Sequence, residues 1–339
     1  MESVRGAGSF LPQHMGEKSY NMRIIEEREL RERIGEEQAL AAVERAFRAL
    51  AEGSVVQPAP MGFDFEDAKG EVHVKGAYLK GSPIFAVKVA SGFYRNPDRG
   101  LPLSSGLVLV FDATTGFPLL LLHDKAYLTE LRTAAAGALA TRLLAPEKIE
   151  KMAMLGTGSQ ARYQLRAIAR LKRPARVSAW SPSSERRVRY AEEMTGALGI
   201  QVSAVSSAKE ALADADLVVT VTPAREPIVE ASFLKPGATI VAVGSDGPDK
   251  QELDVDVLGR ADKIVADKLS QCSKLGEIHH ALEAGRIREK DVYGELGDIV
   301  IGRLPGREGD ELIVCDLTGV GAQDAALAEV VWNELGSAG

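Results

Sequence analysis

The run Lys151-Met-Ala-Met-Leu155 is followed directly by Gly156-Thr-Gly-Ser-Gln-Ala161, and a helix-periodic stretch continues to about Leu171. A G-x-G-x-x-A turn between a strand and a helix is suited to receive a dinucleotide pyrophosphate. Gly156 permits the tight turn, Gly158 lets the backbone approach the pyrophosphate at the helix N-terminus, and small Ala161 lets helix and strand pack closely. A purely structural glycine turn in some other α/β domain is the alternative at this level. The end of the next strand bears on NAD against NADP, because a carboxylate there would bind the ribose 2′-hydroxyl. The segment reads Trp180-Ser-Pro-Ser-Ser-Glu-Arg-Arg187, with no acid directly at the strand end and with hydroxyls and two arginines following. That tilts an NAD(P)(H) site toward NADP, although Arg186 and Arg187 could equally be solvated helix residues near Glu192 and Glu193.

The elements that must position such a site fall into two textures. Glu36–Ala51 carries Leu40, Val43, Phe47 and Leu50 at helical spacing and ends near Gly53. Strand patterns follow at Glu71–Leu79, Ile84–Ala90, Leu107–Phe111 and Pro118–Leu122, with a hairpin turn at Asp112–Gly116. Residues 133 to 145 read as a helix stopped by Pro146. Beyond it, the apolar runs Met152–Leu155, Val177–Trp180, Leu217–Val221, Thr239–Val243 and Ile264–Ala266 alternate with helical stretches, the pattern of βα units around a parallel sheet. A last strand and helix occupy Leu312–Cys315 and Gln323–Leu335, and periodicity does not say which domain they join. The expected fold class is α/β, with a Rossmann-type domain beside a smaller strand-rich one.

Composition removes several function classes. The 339 residues carry 41 Lys and Arg against 48 Asp and Glu, a formal charge of −7, which argues against a general nucleic-acid binder. Cys272 and Cys315 cannot make a disulfide framework, and no CxxC or Cys/His cluster offers a metal site. No stretch approaches the ~20 apolar residues of a membrane span, and residues 1–21 lack a signal peptide's apolar core. Those residues read as a flexible extension, and the expected location is cytoplasmic.

Several stretches together resemble the ornithine cyclodeaminase/μ-crystallin family: Leu128-Thr-Glu-Leu-Arg-Thr-Ala-Ala-Ala136, Gly156–Ala161, Ala215-Asp216 with Thr220-Val-Thr-Pro223, Lys235-Pro-Gly237, Val243-Gly-Ser-Asp246 with Glu252-Leu-Asp254, and Asp316-Leu-Thr-Gly-Val-Gly-Ala-Gln-Asp324. Their order covers residues 24 to 335. The resemblance implies a discontinuous α+β substrate-binding domain, residues 22–131 plus 312–339, that forms a homodimer through its sheet. It implies a Rossmann dinucleotide-binding domain at 132–311. The blocks around His73, Lys88 and Leu275–Ala281 look closest to members that reduce imines of amino acids, iminosuccinate reductases included.

The resemblance also implies roles for individual residues. Arg132 would bind a substrate α-carboxylate, and Thr133, beside it at the opening of the long helix, would touch the cofactor. The physical reading agrees, since a guanidinium can hold a carboxylate bidentately and a helix N-terminus favours an anion; a local pairing of Arg132 with Glu130 is the alternative. Lys88, on an alternating strand among Ala86 and Ala90, would bind substrate and take part in catalysis, or else snorkel to solvent. Asp246 follows a strand at the carboxyl edge of the sheet and would handle the proton on the substrate nitrogen, or else serve as a turn residue. Cofactor contacts are expected from Gly156, Gly158, Ser159, Gln160, Ser181, Ser183, Arg186, Thr220, Val243, Lys250 and Thr318, and no metal.

Departures from the family pattern concern specificity. Gln57-Pro-Ala-Pro60 lacks an arginine common there, His73 stands where ornithine cyclodeaminases have an acid, Lys75 where many relatives have Met, and Leu103 and Leu317 replace hydroxyl residues. Lys75 could face one cavity with Lys88 and Arg132, a set of cations suited to one or two carboxylates, or it could be an exposed strand residue. The expected activity is NAD(P)-dependent oxidoreduction at the Cα–N bond of an amino acid or its imine. Ornithine or lysine cyclodeamination with catalytic NAD+ is one alternative, and a non-enzymatic NADPH-dependent ligand binder of the μ-crystallin type is the other.

Overall fold

The computed structural model describes residues 22–336, so the expected extension at 1–21 lies outside the described residues. The chain starts with β1 (Arg23–Glu26), α1 (Glu27–Arg33) and α2 (Glu36–Ala51), the last with the bounds its periodicity predicts. Ala39, Val43, Ala46, Phe47 and Leu50 form its buried face. Then come β2 (Val55–Val56), β3 (Met61–Phe65), β4 (Gly70–Leu79), β5 (Ile84–Phe93), β6 (Ser104–Asp112) and β7 (Pro118–His123). These strands make a sheet in the order β1-β7-β6-β5-β4-β2, with β3 also on β4. The meander β4 to β7 is antiparallel and β1 closes it in parallel. Asp112 turns the hairpin between β6 and β7 by accepting the Thr114 and Thr115 N–H groups at 2.8 and 2.7 Å.

A long buried helix, α3 (Tyr127–Leu144), leads into the second half. The helix expected from residue 133 thus begins six residues earlier, so Arg132 and Thr133 lie in its second turn rather than opening it. The cause is Asp124, whose carboxylate accepts the Leu128 N–H at 2.9 Å while Lys125 and Ala126 take positive φ to turn the chain in. The first-turn dipole argument for Arg132 therefore lapses, because that effect fades within one turn.

The second half runs β8 (Lys151–Leu155), α4 (Ser159–Leu171), β9 (Arg176–Trp180), α5 (Ser184–Leu198), β10 (Gln201–Ala204), α6 (Ala208–Leu212), β11 (Leu217–Thr220) and β12 (Thr239–Ala242). It continues through α7 (Val255–Arg260), β13 (Lys263–Ala266), α8 (Leu269–Cys272), α9 (Gly276–Glu283), β14 (Gly294–Glu295), α10 (Leu296–Val300), β15 (Ile313–Asp316) and α11 (Gly321–Leu335). Its strands form a parallel sheet in the order β10-β9-β8-β11-β12-β15-β13-β14. β11, β12, β13 and β15 are buried at every position, as strands covered on both faces must be. This is the α/β class expected, a Rossmann-type sheet beside an α+β lobe.

The end of the chain divides differently from the expectation. β15 does not return to the first sheet; it inserts between β12 and β13 of the second, pairing with both. Only α11 crosses back, packing on β4, β5 and α2. The apolar run Ile313–Cys315 is a fully buried parallel-strand sequence, whereas α11 has a face for the meander. The expected boundary at 131/132 falls inside α3, which contacts α2 on one side and α4 on the other. The chain therefore passes between lobes at α3 and again at the Asp316–Val320 turn.

Candidate active site

Alternation along β4 places Glu71, His73 and Lys75 on the face that also carries buried Ala77 and Leu79. Lys75 lies directly across from Lys88 of β5. Two ammonium groups opposed on one face repel, and the pair needs counter-charges. Lys88 Nζ lies 3.0 Å from Asp324 Oδ2, and Arg132 Nε donates to Asp324 Oδ1 at 3.1 Å. Arg132 Nη1 reaches Gln323 Oε1 at 3.3 Å, which leaves its Nη2 without a hydrogen bond among the described residues. Lys75 Nζ donates to the carbonyls of Thr318 and Gly319 at 3.0 and 2.7 Å. Lys88 and Arg132 thus share the Asp324 carboxylate, while Lys75 beside them is held by two carbonyls.

The electrostatic consequences follow from this crowding. Burial, with Arg132 and Lys75 nearby, lowers the Lys88 ammonium to about 7 against the opposing pull of Asp324. Burial and Arg132 likewise push Lys75 down. Asp324 stays below the usual carboxylate range, because Lys88, Arg132 and Lys75 outweigh its burial. The alternative of Lys75 as an exposed strand residue is overturned, since it is 5% exposed. Its two carbonyl partners also show that it braces the Thr318–Gly319 turn. That turn passes so close to the guanidinium that a Cβ at Gly319, where φ is +77°, would lie 2.7 Å from Arg132 Nη1. Asp267 holds the turn from behind, accepting from Thr318 Oγ1 at 3.0 Å and from Gly319 N at 2.7 Å.

A second cluster faces the first across the lobes. Lys250 Nζ donates to Asp246 Oδ1 and to Glu71 Oε1, each at 2.7 Å, and Tyr94 OH donates to Glu71 Oε1 at 2.9 Å. Burial alone would raise Asp246, but Lys250, His73 and Lys75 together hold it well below the usual carboxylate range. Lys250 is raised in turn, as Asp246, Tyr94 and Glu71 outweigh its desolvation. Asp246 is thus a fixed anion, ionised throughout the neutral range. Its loop is tied down by Ser245, whose hydroxyl donates to Lys250 O, and by His280, whose Nε2 lies 2.8 Å from the same carbonyl.

The glycine loop sits at the carboxyl end of β8. Gly156 has φ +108°, and a Cβ there would lie 2.7 Å from Val221 O, so only glycine fits. A Cβ at Gly158 would meet nothing within 4 Å, so the loop is open where a diphosphate would lie at the start of α4. Thr157 Oγ1 bonds Ser181 Oγ at 2.8 Å, joining the loop to the end of β9. The residues present fit a dinucleotide: open backbone at a helix N-terminus, flanked by strand ends at Thr220 and Val243.

Several residues expected at the cofactor also hold the frame. Thr220 Oγ1 donates to Glu252 Oε2 at 2.6 Å, and Thr318 Oγ1 serves Asp267. Gln160 Nε2 bonds the Glu130 carbonyl at 3.2 Å and its carboxylate at 2.5 Å, so Glu130 pairs there rather than with Arg132. Thr133 offers its carbonyl to Gln164 Nε2 at 3.0 Å. Ser183 caps α5, accepting Arg186 N at 3.3 Å, and Arg186 itself is exposed. Arg187, not Arg186, reaches the strand end, donating to Ser181 O at 3.0 Å. Lys250, expected at the cofactor, lies between Glu71 and Asp246. The residues not foreseen are Glu71, Tyr94, Asp267, Gln323 and Asp324. Alternation from Lys75 back to Glu71 could have found the first.

Fold and site together define a two-lobed protein in which a Rossmann-type sheet with an open glycine loop stands beside a buried cluster of Lys75, Lys88, Arg132 and Asp324. The model of the ornithine cyclodeaminase/mu-crystallin family matches residues 21–339, and the chain belongs to that family. Among solved structures, an archaeal alanine dehydrogenase dimer with bound NAD has 36% sequence identity and a TM-score of 0.85, covering 92% of this chain and 95% of that one. The Thermococcus litoralis Delta(1)-pyrroline-2-carboxylate reductase, in complex with NADH and L-proline, has 30% identity and a TM-score of 0.86 over 92% and 97%. The Paracoccus denitrificans iminosuccinate reductase, in complex with NAD+, has 32% identity and a TM-score of 0.83 over 92% and 95%. Among the described residues, no helix is long and apolar enough to cross a membrane.

Proposed function

We propose that the protein is an NAD(P)-dependent oxidoreductase acting on the Cα–N bond of a small amino acid or its imine. The observation that carries this reading is the opposition of two clusters, Arg132–Lys88–Asp324 and Asp246–Lys250–Glu71, beside an open dinucleotide loop. The first suits an α-carboxylate, with Arg132 Nη2 and Lys88 as donors. The second suits an imine nitrogen that gains positive charge as it takes up a proton, a charge that ionised Asp246 stabilises. A nicotinamide bound at the glycine loop would supply the two-electron exchange at the carbon between them. With carboxylate and nitrogen both fixed, that carbon is presented in one orientation, and such positioning supplies much of the rate. Lys75, occupied by two carbonyls, favours substrates with a single carboxylate. Cyclodeamination of a diamino acid is the second reading, favoured by Glu71, whose carboxylate could meet a distal ammonium in place of Lys250. Release of ammonia from ornithine or lysine with only catalytic NAD+ would establish it and replace the reductase reading.

Lys88 gives this reading a pH signature. Carboxylate binding needs the ammonium form, and the free site loses that proton near pH 7. KM for the imine is therefore flat below pH 6 and rises about tenfold per unit above roughly pH 7. Lys88→Arg, which stays charged, removes the rise. A KM flat to pH 9 in the unaltered protein would contradict the assignment.

The same reading includes NADP and a dimer. The end of β9 offers Ser181, Ser183 and Arg187 and no carboxylate, which favours a 2′-phosphate over a free 2′-hydroxyl. The dissociation constant should be lower for NADPH than for NADH, and Arg187→Ala should weaken NADPH about tenfold while sparing NADH. Equal binding of both cofactors by both proteins would exclude this role. For the dimer, the support is the outer face of the meander, where Val74, Phe85, Val87, Val89, Leu109 and Phe111 are only half-buried. The Phe85 and Phe111 rings stack there with centroids 4.9 Å apart. An antiparallel sheet with apolar residues on both faces needs a second cover. Leu109→Glu should convert a dimer to a monomer in sedimentation; an unaltered dimer would put the interface elsewhere.

A further inference from the structure

Resting on the imine-reductase reading, we propose that His73 delivers the proton to the substrate nitrogen during reduction, and removes it in the reverse direction, through its Nε2 atom. His73 sits on the inward face of β4 between Glu71 and Lys75. Its Nε2 is buried and has no hydrogen-bond partner, the nearest carboxylate being Glu71 Oε2 at 3.8 Å. A buried ring nitrogen left unpaired is unfavourable unless something else meets it, and a substrate group is a natural partner at a pocket wall. One nitrogen of the ring and one oxygen each of Glu71 and Asp246 lie within 4.8 Å of one another. His73 therefore faces the place where Asp246 would hold the substrate nitrogen.

The neighbouring groups are poorly suited to the task. Around His73 stand Glu71 and Lys75 on its own strand, Tyr94 beyond β5, and Asp246 and Lys250 from the loop after β12; its direct cross-strand partners, Gly62 and Ala90, do not titrate. Asp246 and Glu71 are both held below the usual carboxylate range, so neither carries a proton to give near neutrality. Lys250 is raised and shared by two carboxylates, and Tyr94 is pushed up to about 12 by burial despite Lys250, so both retain theirs. Lys75 and Lys88 belong to the carboxylate end. Imidazole is the side-chain type whose ordinary change of charge falls between pH 5 and 8, which suits it to pass a proton near neutrality. The His73 side chain is 21% exposed, which gives it an exchange path to solvent.

The step balances as follows. A nicotinamide held at the glycine loop would supply two electrons and one hydrogen to Cα, with the C=N π pair moving onto nitrogen. That nitrogen forms an N–H bond with the proton leaving His73 Nε2, and the neutral imidazole is reprotonated from water. The sum is imine, reduced nicotinamide and a proton going to amine and oxidised nicotinamide.

The test compares unaltered protein with His73→Gln, which keeps an amide donor but cannot titrate. In the unaltered protein kcat for imine reduction falls with rising pH. In His73→Gln, kcat drops about 100-fold and loses that pH limb, while the KM rise assigned to Lys88 remains. NMR of histidine-labelled protein supplies a readout besides activity: the His73 ring signal should change with pH over the range in which kcat falls. A kcat pH limb retained in His73→Gln, with a rate within about threefold of the original, would overturn the proposal. So would a His73 ring that does not titrate, even if His73→Gln failed to fold. If the unaltered protein reduces no imine, the function reading falls, and this assignment with it.

Discussion

Asp246→Asn lowers kcat/KM for the imine by about 10³-fold and leaves NAD(P)H binding within about twofold. The expectation rests on charge rather than shape. Asparagine keeps the size of the side chain and one oxygen acceptor, but it cannot stabilise a cationic nitrogen. Lys250 keeps Glu71 as a partner at 2.7 Å, so the loop retains one of its anchors. The glycine loop at Gly156–Ala161 lies on another strand end, which is why cofactor affinity should be spared. Fluorescence titration of NAD(P)H beside steady-state kinetics separates the two effects. Equal losses in cofactor affinity and turnover would mean that Asp246 acts only through loop structure.

Arg132→Ala raises KM about 100-fold with a smaller change in kcat, because truncating one partner of a desolvated charge pair costs about 3 kcal/mol. It also shifts the KM pH limb. Arg132 is, after burial, the strongest influence lowering Lys88. Without it, Lys88 remains paired to Asp324 and its midpoint rises above 7, so the surviving weak binding persists to higher pH. Folding of Arg132→Ala is checked by circular dichroism and by NAD(P)H binding, both of which should be retained because Lys88 remains as the partner of Asp324 at 3.0 Å. A KM unchanged in Arg132→Ala would place the carboxylate elsewhere.

Legibility in the sequence followed the range of the interactions. The α2 bounds, the meander, the βα units and the glycine loop rest on local periodicity and turn chemistry, and the structure carries each of them. The start of α3 rests on one carboxylate, Asp124, whose capping bond has no apolar period to announce it. β15 rests on pairing partners far away in sequence, so its apolar run alone left open which sheet it joins. Within the site, the family resemblance points to Lys88 and Arg132, and Lys75 stands out as a departure from it. The counter-ion common to Lys88 and Arg132 was not foreseen, because Asp324 reaches them from α11 at the other end of the chain. Reading the pocket as purely cationic missed Glu71, two residues from His73 on the same face. The resemblance to known relatives named the cofactor positions by alignment. It could not distinguish side chains open to a ligand from those, such as Thr220 and Thr318, already engaged by buried carboxylates.

The most direct measurement mixes the purified protein with NADPH or NADH and a panel of small imines, namely 2-oxo acids with ammonia, pyrroline-2-carboxylate, and oxaloacetate with ammonia, and follows loss of the reduced nicotinamide absorbance. Oxidation with at least one α-carboxylate imine is expected, with formation of the matching amino acid and loss of turnover in Asp246→Asn. No oxidation with any imine, and no reduction of NAD(P)+ by any of the matching amino acids, would contradict the proposed function.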